Sequence, residues 1–554
     1  MPLTDSSTLA TMVLVDLYKV LRSARKGSGL SLRSLARRVG VDAAYLSRVE
    51  SGKSRASKAL LASLAATFEM SEERLLALGG YLPEAWRQAV EREAGAGDGP
   101  GLQADSATSP RVAEPAVRFA FPTTLSRLDR LSDPLAELLP AGYLASPEIN
   151  EVYELKLALL EVKLLDRAGI LERGAYFLAV DGEPTRHLRL CTGSGVQLPR
   201  DSGARLRSFL ASHKFKTSYA THGLFPYRGK FHPQMVKALL NVMGLRPGAL
   251  VLDPMAGSGT TGVEAALMGI DSISIDASPF CVFLARTKVA ALSADVSRLH
   301  SLLVDANALG RAFRALESDD GMRRVREPGY QPKGMTRPTF DILALAFLDA
   351  RGYAERSGRK SAEEFFRDVL AKYVATIEHF QQLWTEIGAT LGIACVVQGD
   401  ARALELEDAS VDGVLFSPPY SFAVDYLAND ASHLRYLGVE PEELRPTMVG
   451  LNGKGRAAQV ATYFEDMRRV LCEVARVLKP RRACTMVVGS NSRQLAAALG
   501  TDVSSADVRF GLEGRLVEIG EQFGLRLELS IRRLIVGIAN SMREEHILFL
   551  RKGV

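Results

Sequence analysis

The chain has 554 residues, too many for one ordinary domain, and 47% of them are apolar, enough to give each of several units a core. Its formal net charge of +5 is mild for that length, and its five cysteines (Cys191, Cys281, Cys395, Cys472 and Cys484) form no C-x-x-C pair, which argues against a zinc site or a disulfide scaffold. No basic-then-apolar leader opens the chain and no apolar run is long enough to span a bilayer, so the expectation is a cytoplasmic protein with no membrane partner.

Residues 1–90 read as short amphipathic helices. Between Arg22 and Lys58 ten Lys or Arg stand against two acids, Asp42 and Glu50, a basic face suited to a polyanion. Ala36, Gly40, Leu46 and Val49 have the spacing of a helix-turn-helix. The small Ala lets two helices cross, Gly40 makes the turn, and Leu46 and Val49 anchor the second helix. Ser31 is the expected N-cap of the first. The segment Leu30–Ser54 resembles the repressor-like helix-turn-helix family, above all in Tyr45–Lys53. That resemblance implies DNA binding, with Ala43, Ala44, Tyr45 and Arg48 towards the major groove and Arg48 or Lys53 on phosphate. A helical protein-interaction module is the alternative.

Residues 91–120, with GAGDGPG and SATSP, have the composition of a flexible linker. Residues 121–225 are expected to form an accessory domain of no assignable role. In it Glu148–Ala168 has helical spacing, and Ala175–Leu190 reads as a hairpin turning at Asp181-Gly182.

From Ala249 the pattern becomes strand alternating with helix. Strands are expected at Ala249–Leu252, Ser272–Ile275, Ala394–Val397, Gly413–Phe416, Cys484–Val488, Leu525–Ile531 and His546–Leu550. This is an α/β pattern, with a mostly parallel sheet covered by helices on both faces. It occupies residues 226–289 and 391–554 and is split by a mostly helical insertion, 290–390.

The first of these strands runs into Asp253-Pro254-Met255-Ala256-Gly257-Ser258-Gly259-Thr260-Thr261, a glycine-rich turn that opens a helix. Such a turn lets backbone approach a ligand and offers free N–H groups. Asp276 ends the next strand, 17 residues after Gly259, where a carboxylate can accept from ribose hydroxyls. Asp400 ends the third, where it can meet an adenine amino group. No Gly-Lys-Ser/Thr closes the turn, so a nucleoside with a small charged tail fits better than a triphosphate.

The fourth strand stops at Ser417-Pro418-Pro419-Tyr420. Two prolines cannot continue a central strand, which leaves main-chain carbonyls unpaired beside a hydroxyl and a flat ring. A planar base can stack on Tyr420 while its amino group donates to Ser417 and to a carbonyl.

These motifs, in this order, resemble the amino-methyltransferases of DNA, which make N4-methylcytosine or N6-methyladenine. Thr221–Gly223, Tyr227–Pro233, Ser274–Asp276, Gly399–Arg402, Phe422–Tyr426 and Val477–Pro480 carry the same resemblance. It implies a Rossmann-like fold with a seven-stranded sheet and S-adenosylmethionine as cofactor. Tyr227, Lys230, Phe231, His232 and Pro233 would close over the cofactor's methionine. Asp253 to Thr261, Asp276, Asp400 and Ala401 would cradle the rest. Met255 stands where the family usually has Phe. In this family Ser before Pro-Pro-Tyr is commoner in N4-cytosine enzymes and Asp or Asn in N6-adenine enzymes.

The expected activity is therefore N4-cytosine methylation of double-stranded DNA by direct attack of a flipped base. The expected catalytic residues are Ser417, Pro418, Pro419 and Tyr420, with no metal. N6-adenine methylation is the runner-up. An RNA amino-methyltransferase and a helix-turn-helix regulator with an inert catalytic domain are further alternatives. A cognate restriction endonuclease is a candidate partner. Arg323, Arg324, Arg326, Lys333 and Arg337 of the insertion are candidate phosphate contacts.

Overall fold

The computed structural model describes residues 17–76, 139–192, 218–419, 426–501, 511–534 and 544–554, less a few positions within those ranges. Lys53, Tyr420, Phe422 and the 91–120 linker lie outside them.

Among the described residues the N-terminal unit holds the helices α1 Leu17–Gly27, α2 Leu32–Arg38, α3 Ala43–Glu50 and α4 Lys58–Phe68. Ser31 caps α2 by accepting from the Ser34 N–H at 3.1 Å. Asp42 caps α3 by accepting from Ala44 and Tyr45 N–H groups. Gly40 forms the turn between them, and Leu35, Ala36, Leu46, Val49 and Leu61 bury in one core. Buried Glu50 pairs with Arg25 of α1 at 2.6 Å.

A small three-stranded sheet follows. Strand β1 (Tyr143–Ala145) pairs antiparallel with β2 (Phe177–Val180), and helices α5 (Val152–Leu164) and α6 (Arg167–Arg173) lie between them in the chain. The hairpin does turn at Asp181-Gly182, where both residues have positive φ. Its second arm, however, is only β3, Glu183–Pro184, and helix α7 (Arg186–Thr192) replaces the expected strand. Pro184 cannot carry the ladder on, and the Thr185 hydroxyl accepts from the Leu188 N–H and starts the helix.

The main sheet has seven strands in the order β6-β5-β4-β7-β8-β10-β9. In chain order they are β4 Leu250–Asp253, β5 Asp271–Asp276, β6 Ala394–Gln398, β7 Val411–Phe416, β8 Leu478–Ser490, β9 Leu525–Leu534 and β10 Glu544–Lys552. Neighbours are parallel except β10, which is antiparallel to both β8 and β9. Helix α8 (Pro233–Val242) precedes the sheet, α9 (Thr260–Leu267) joins β4 to β5, and α10 (Pro279–Ala290) leaves β5. Because β5 and β6 lie on one side of β4 and β7 on the other, the strand order reverses between β4 and β7. A crevice at the carboxyl ends opens there.

Alternate residues of each strand serve opposite faces, as the pleat requires. Val251, Leu415, Ile547 and Phe549 face a core shared with Tyr153 and Leu157 of α5, Phe177 of β2 and Leu239 of α8. Leu252, Val414, Phe416, Leu548 and Leu550 face the opposite core. Residues 143–180, expected within an accessory domain, thus complete one face of the seven-stranded sheet. Buried Glu161 of α5 fastens them by accepting from the Ala175 and Tyr176 N–H groups and from Asn241 of α8.

The 290–390 insertion is helical, as expected: α11 Ser297–Val304, α12 Ala306–Glu317, α13 Arg337–Ser357 and α14 Ala362–Ile387. Ser361 and Glu364 form a capping box that starts α14, and Gly388 ends it in the left-handed conformation. Phe313, Phe347, Phe366 and Tyr373 pack on Phe280 and Phe283 of α10. Helix α15 (Tyr426–Tyr436) adds Leu427 and Leu434 to that core. Helices α16 (Arg456–Val477) and α17 (Gly511–Gln522) cover the other face. No helix among the described residues is long and apolar enough to cross a membrane.

Candidate functional site

The turn after β4 is built to bring backbone close to the crevice. Gly259, the N-cap of α9, has φ +77°, and a Cβ there would sit 2.7 Å from Ala285 Cα of α10. Asp253 Oδ1 accepts from the Met255 N–H at 3.1 Å, and the Ala256 N–H donates to Ile275 O of β5 at 2.9 Å. Asp276 binds the two loops together. Its Oδ2 accepts from the Gly257 N–H at 2.8 Å and its Oδ1 from the Ser278 N–H at 2.9 Å. Each carboxylate oxygen has a second lone pair for a ligand hydroxyl. Burial, with the charge of Asp276 adding to it, pushes the Asp253 carboxyl up to about 7.

The segment Tyr227–Phe231 closes the crevice from the α8 side. The Lys230 ammonium donates to His222 O at 2.9 Å, and burial lowers its pKa to about 8. His222 is itself pinned by Glu264 of α9, to which its ring lies at 2.7 Å and which Tyr219 also reaches through its hydroxyl. The Tyr227 hydroxyl donates to Asp430 Oδ2 of α15 at 3.2 Å and lies 3.4 Å from Cys281 Sγ.

Asp400 is more heavily engaged than its place in the motif suggests. Arg402 holds both of its oxygens, with Nε at 2.9 and 3.1 Å and Nη2 at 2.7 Å. The same guanidinium reaches Asp466 of α16 at 2.9 Å and the carbonyls of Pro446 and Thr447. Burial works against the Asp400 charge, but the Arg402 hydrogen bonds outweigh it and hold the carboxyl below its usual range. Arg402→Ala would strand buried Asp466 and free the 446–447 loop. It is expected to lower unfolding free energy by about 3 kcal/mol in chemical denaturation. A loss under roughly 1 kcal/mol would mean that solvent screens the cluster.

At the end of β7, Pro418 has no N–H with which to extend the ladder to β8. The register pairs Phe416 with Met486, and Val487, one residue on, accepts a hydrogen bond through its carbonyl from the Ser417 hydroxyl at 2.8 Å. The hydroxyl proton is thereby turned towards β8. What Oγ can offer a substrate amino group is a lone pair.

Part of each of these segments lines one cleft of about 1010 Å³, open to solvent. Of the expected residues it brings together Tyr227, Lys230, Phe231, Asp253, Pro254, Met255, Ala256, Gly257, Ser258, Thr260, Asp276, Asp400, Ala401, Ser417 and Pro419. Others stand behind its wall: His232 and Pro233 start α8, Gly259 and Thr261 start α9, and Pro418 is buried. The cleft also takes in Tyr426, the end of the Phe422–Tyr426 motif, and with it Ser278, Cys281, Leu427, Asp430 and Thr447–Val449, which no motif assigned to it. Asp430 had one faint signal, since it follows Tyr426 by four residues on a helix and so shares its face. Thr447–Val449 had none.

The other candidate contacts divide. In α3, Ala44 and Arg48 are exposed, whereas the Tyr45 hydroxyl accepts from the Ser57 N–H and Ala43 packs on the helical core. In the insertion, Arg337 is tied to Asp341 at 2.8 Å and Arg326 to the Leu437 and Gly438 carbonyls. Both are therefore spent within the fold. Arg324 and Lys333 remain exposed.

Residues 21–75 match a family model described as helix-turn-helix, and residues 224–316 match one described as an RMKL-like methyltransferase domain. Among curated proteins, the chain is similar to Type II methyltransferase M.MjaII of Methanocaldococcus jannaschii. It is 39% identical over 180 residues, which cover 32% of this chain and 33% of that protein. It is also similar to Type II methyltransferase M.BsoBI of Geobacillus stearothermophilus, 20% identical over 313 residues, 47% of this chain and 62% of that one. The chain thus spans about a third and about three fifths of these relatives' lengths. Among solved structures, a SAM-dependent methyltransferase of Methanosarcina mazei aligns at 14% identity and a TM-score of 0.27, covering 56% of this chain and 95% of that one. TrmN of Thermus thermophilus aligns at 15% identity and a TM-score of 0.24, covering 59% and 50%.

Proposed function

We propose that the chain transfers a methyl group from S-adenosylmethionine to the exocyclic amino nitrogen of a base in double-stranded DNA, N4 of cytosine. The observation that carries this reading is the position of Ser417. Its hydroxyl is oriented by Val487 and opens on the same cleft as the Asp253–Ser258 turn and Asp276. Both curated relatives are named Type II methyltransferases, and the helix-turn-helix unit supplies a second surface for DNA. A cytoplasmic enzyme paired with a cognate restriction endonuclease fits those names.

The lining suits the cofactor. Asp276 keeps lone pairs for ribose hydroxyls, Met255 and Phe231 supply apolar surface, and the lining mixes carboxylates with an ammonium, as a ligand carrying both charges requires. When bound there, the cofactor supplies an electrophilic methyl group. The chain's own residues do the rest by position and electrostatics. Ser417 Oγ accepts an N–H of the target amino group and holds the nitrogen lone pair towards the cleft. Tyr420 stacks on the flipped base and recovers about 1–3 kcal/mol of the unstacking cost. Ser in place of an acid before Pro-Pro-Tyr favours cytosine over adenine.

The test is incubation of the protein with labelled cofactor and duplex DNA, followed by mass spectrometry of the nucleosides. N4-methylcytosine is the expected product. N6-methyladenine would overturn the base assignment, and label in RNA but not DNA would overturn the substrate.

A further inference from the structure

The segment that closes the cleft starts from backbone that does not favour its own shape. Phe225, two residues before Tyr227, has φ +60°, in the left-handed region that a bulky side chain resists. Pro226 follows it, and a residue before proline ordinarily runs extended at negative φ. Such a conformation persists only where its surroundings hold it, and it gathers at functional sites.

What holds Phe225 is the helical insertion. Its N–H donates to the Tyr373 hydroxyl of α14 at 2.8 Å, and that hydroxyl donates in turn to Asp349 Oδ2 of α13 at 2.9 Å. All three residues are buried. Burial pushes the Asp349 carboxyl up to about 6, with the Tyr373 bond pulling against it, so at neutral pH the carboxylate takes the hydroxyl proton. The phenolic oxygen is left to accept from Phe225. On the other side of the same residue, Phe225 O accepts from the Tyr227 N–H at 3.1 Å. Its ring packs edge-on against Phe280 of α10 and His433 of α15. A line of hydrogen bonds thus runs from two insertion helices, through one strained residue, to Tyr227, and Tyr227, Gly229, Lys230 and Phe231 line the cleft. The insertion also reaches α15, where Arg351 of α13 donates to the Tyr436 hydroxyl at 2.6 Å.

We propose that Tyr373, oriented by Asp349, is a positioning residue for the cofactor: it holds Phe225 in the left-handed conformation and so sets the Tyr227–Phe231 wall against the bound ligand. This assignment rests on the cofactor reading above. It gives the 290–390 insertion a role in the cofactor site that is separate from any contact with DNA.

The experiment is calorimetric titration of the full chain with S-adenosylhomocysteine, with KM for S-adenosylmethionine and for duplex DNA measured beside it. Tyr373→Phe deletes one hydroxyl and keeps the ring. It is expected to weaken S-adenosylhomocysteine about tenfold and to raise the cofactor KM by a similar factor, with kcat at saturating cofactor and KM for DNA within about twofold. Asp349→Asn keeps an acceptor for the hydroxyl and should stay within about threefold of wild type, whereas Asp349→Ala frees the phenolic proton and should match Tyr373→Phe. That pair carries the test if Tyr373→Phe fails to fold. Wild-type affinity in Tyr373→Phe, with only a lower Tm, would make the bond a matter of stability and overturn the proposal. A raised KM for DNA at unchanged S-adenosylhomocysteine affinity would overturn it too, and so would equal affinity in the two Asp349 variants. If the wild-type chain does not bind S-adenosylhomocysteine, it is the cofactor reading itself that fails.

Discussion

On the proposed function, Ser417→Asp is expected to abolish methyl transfer more thoroughly than Ser417→Asn, although aspartate is common before Pro-Pro-Tyr in the adenine enzymes that the sequence resembles. The reason is the Val487 carbonyl, 2.8 Å from Ser417 Oγ and accepting its proton. Asparagine can present its amide N–H to that carbonyl and its oxygen to the substrate amine. Aspartate sets a carboxylate against the carbonyl with no proton between them, and two acceptors at that distance repel. On this argument Asn should keep a measurable rate, down about tenfold. Ala should lose on the order of 100-fold, and Asp on the order of 1000-fold. The readout is the single-turnover rate on duplex DNA, with S-adenosylhomocysteine affinity measured alongside to show an intact cofactor site. An aspartate variant as fast as the asparagine variant would mean that Val487 does not orient the group.

Gly259→Ala is the second large effect, and it acts on the fold. Left-handed backbone costs a non-glycine residue about 1–2 kcal/mol. Here the added Cβ would also lie 2.7 Å from both Ala285 Cα and Cβ. Helix α10 carries Ala285 and packs on the helical insertion, so it cannot simply step back. Overpacking of that kind adds roughly 1–3 kcal/mol. The sum should be visible as a clear fall in Tm and in denaturant midpoint. Gly257→Ala is the matched control. Its φ is +51°, but a Cβ there meets nothing within 4 Å, so only the backbone cost remains. Equal destabilisation by the two variants would show that the contact with α10 relaxes freely.

Much of the site could be read from the chain because a parallel sheet gathers it. Asp253, Asp276, Asp400 and Ser417 each end or follow a short apolar strand, and parallel strands put such ends along one edge. Local patterns therefore predicted a shared cleft without any long-range contact being known. The misses are long-range. Arg402 belongs to the GDAR motif, yet its grip on Asp466 and on the 446–447 carbonyls depends on how α16 and a loop return to β6. Asp430 sits in a helix whose pattern says only that one face is buried. Residues 121–225 read as an accessory domain because their helical spacing and hairpin turn are local patterns, and local patterns do not say which sheet face residues 143–180 cover. The second arm of the hairpin failed for a local reason, Pro184 followed by a capping threonine.

The shared core beneath the sheet bears on how little of the chain can stand by itself. A fragment beginning at residue 226 would retain every motif of the cleft. It would also strip Tyr153, Leu157 and Phe177 from the face formed by Val251, Leu415, Ile547 and Phe549, and leave Asn241 without Glu161. Such a fragment would be sticky, exposing a broad apolar surface to water. The smallest autonomous body that holds the cleft must start no later than β1, so its limits are set by the reverse side of the sheet and not by the motifs on its edge.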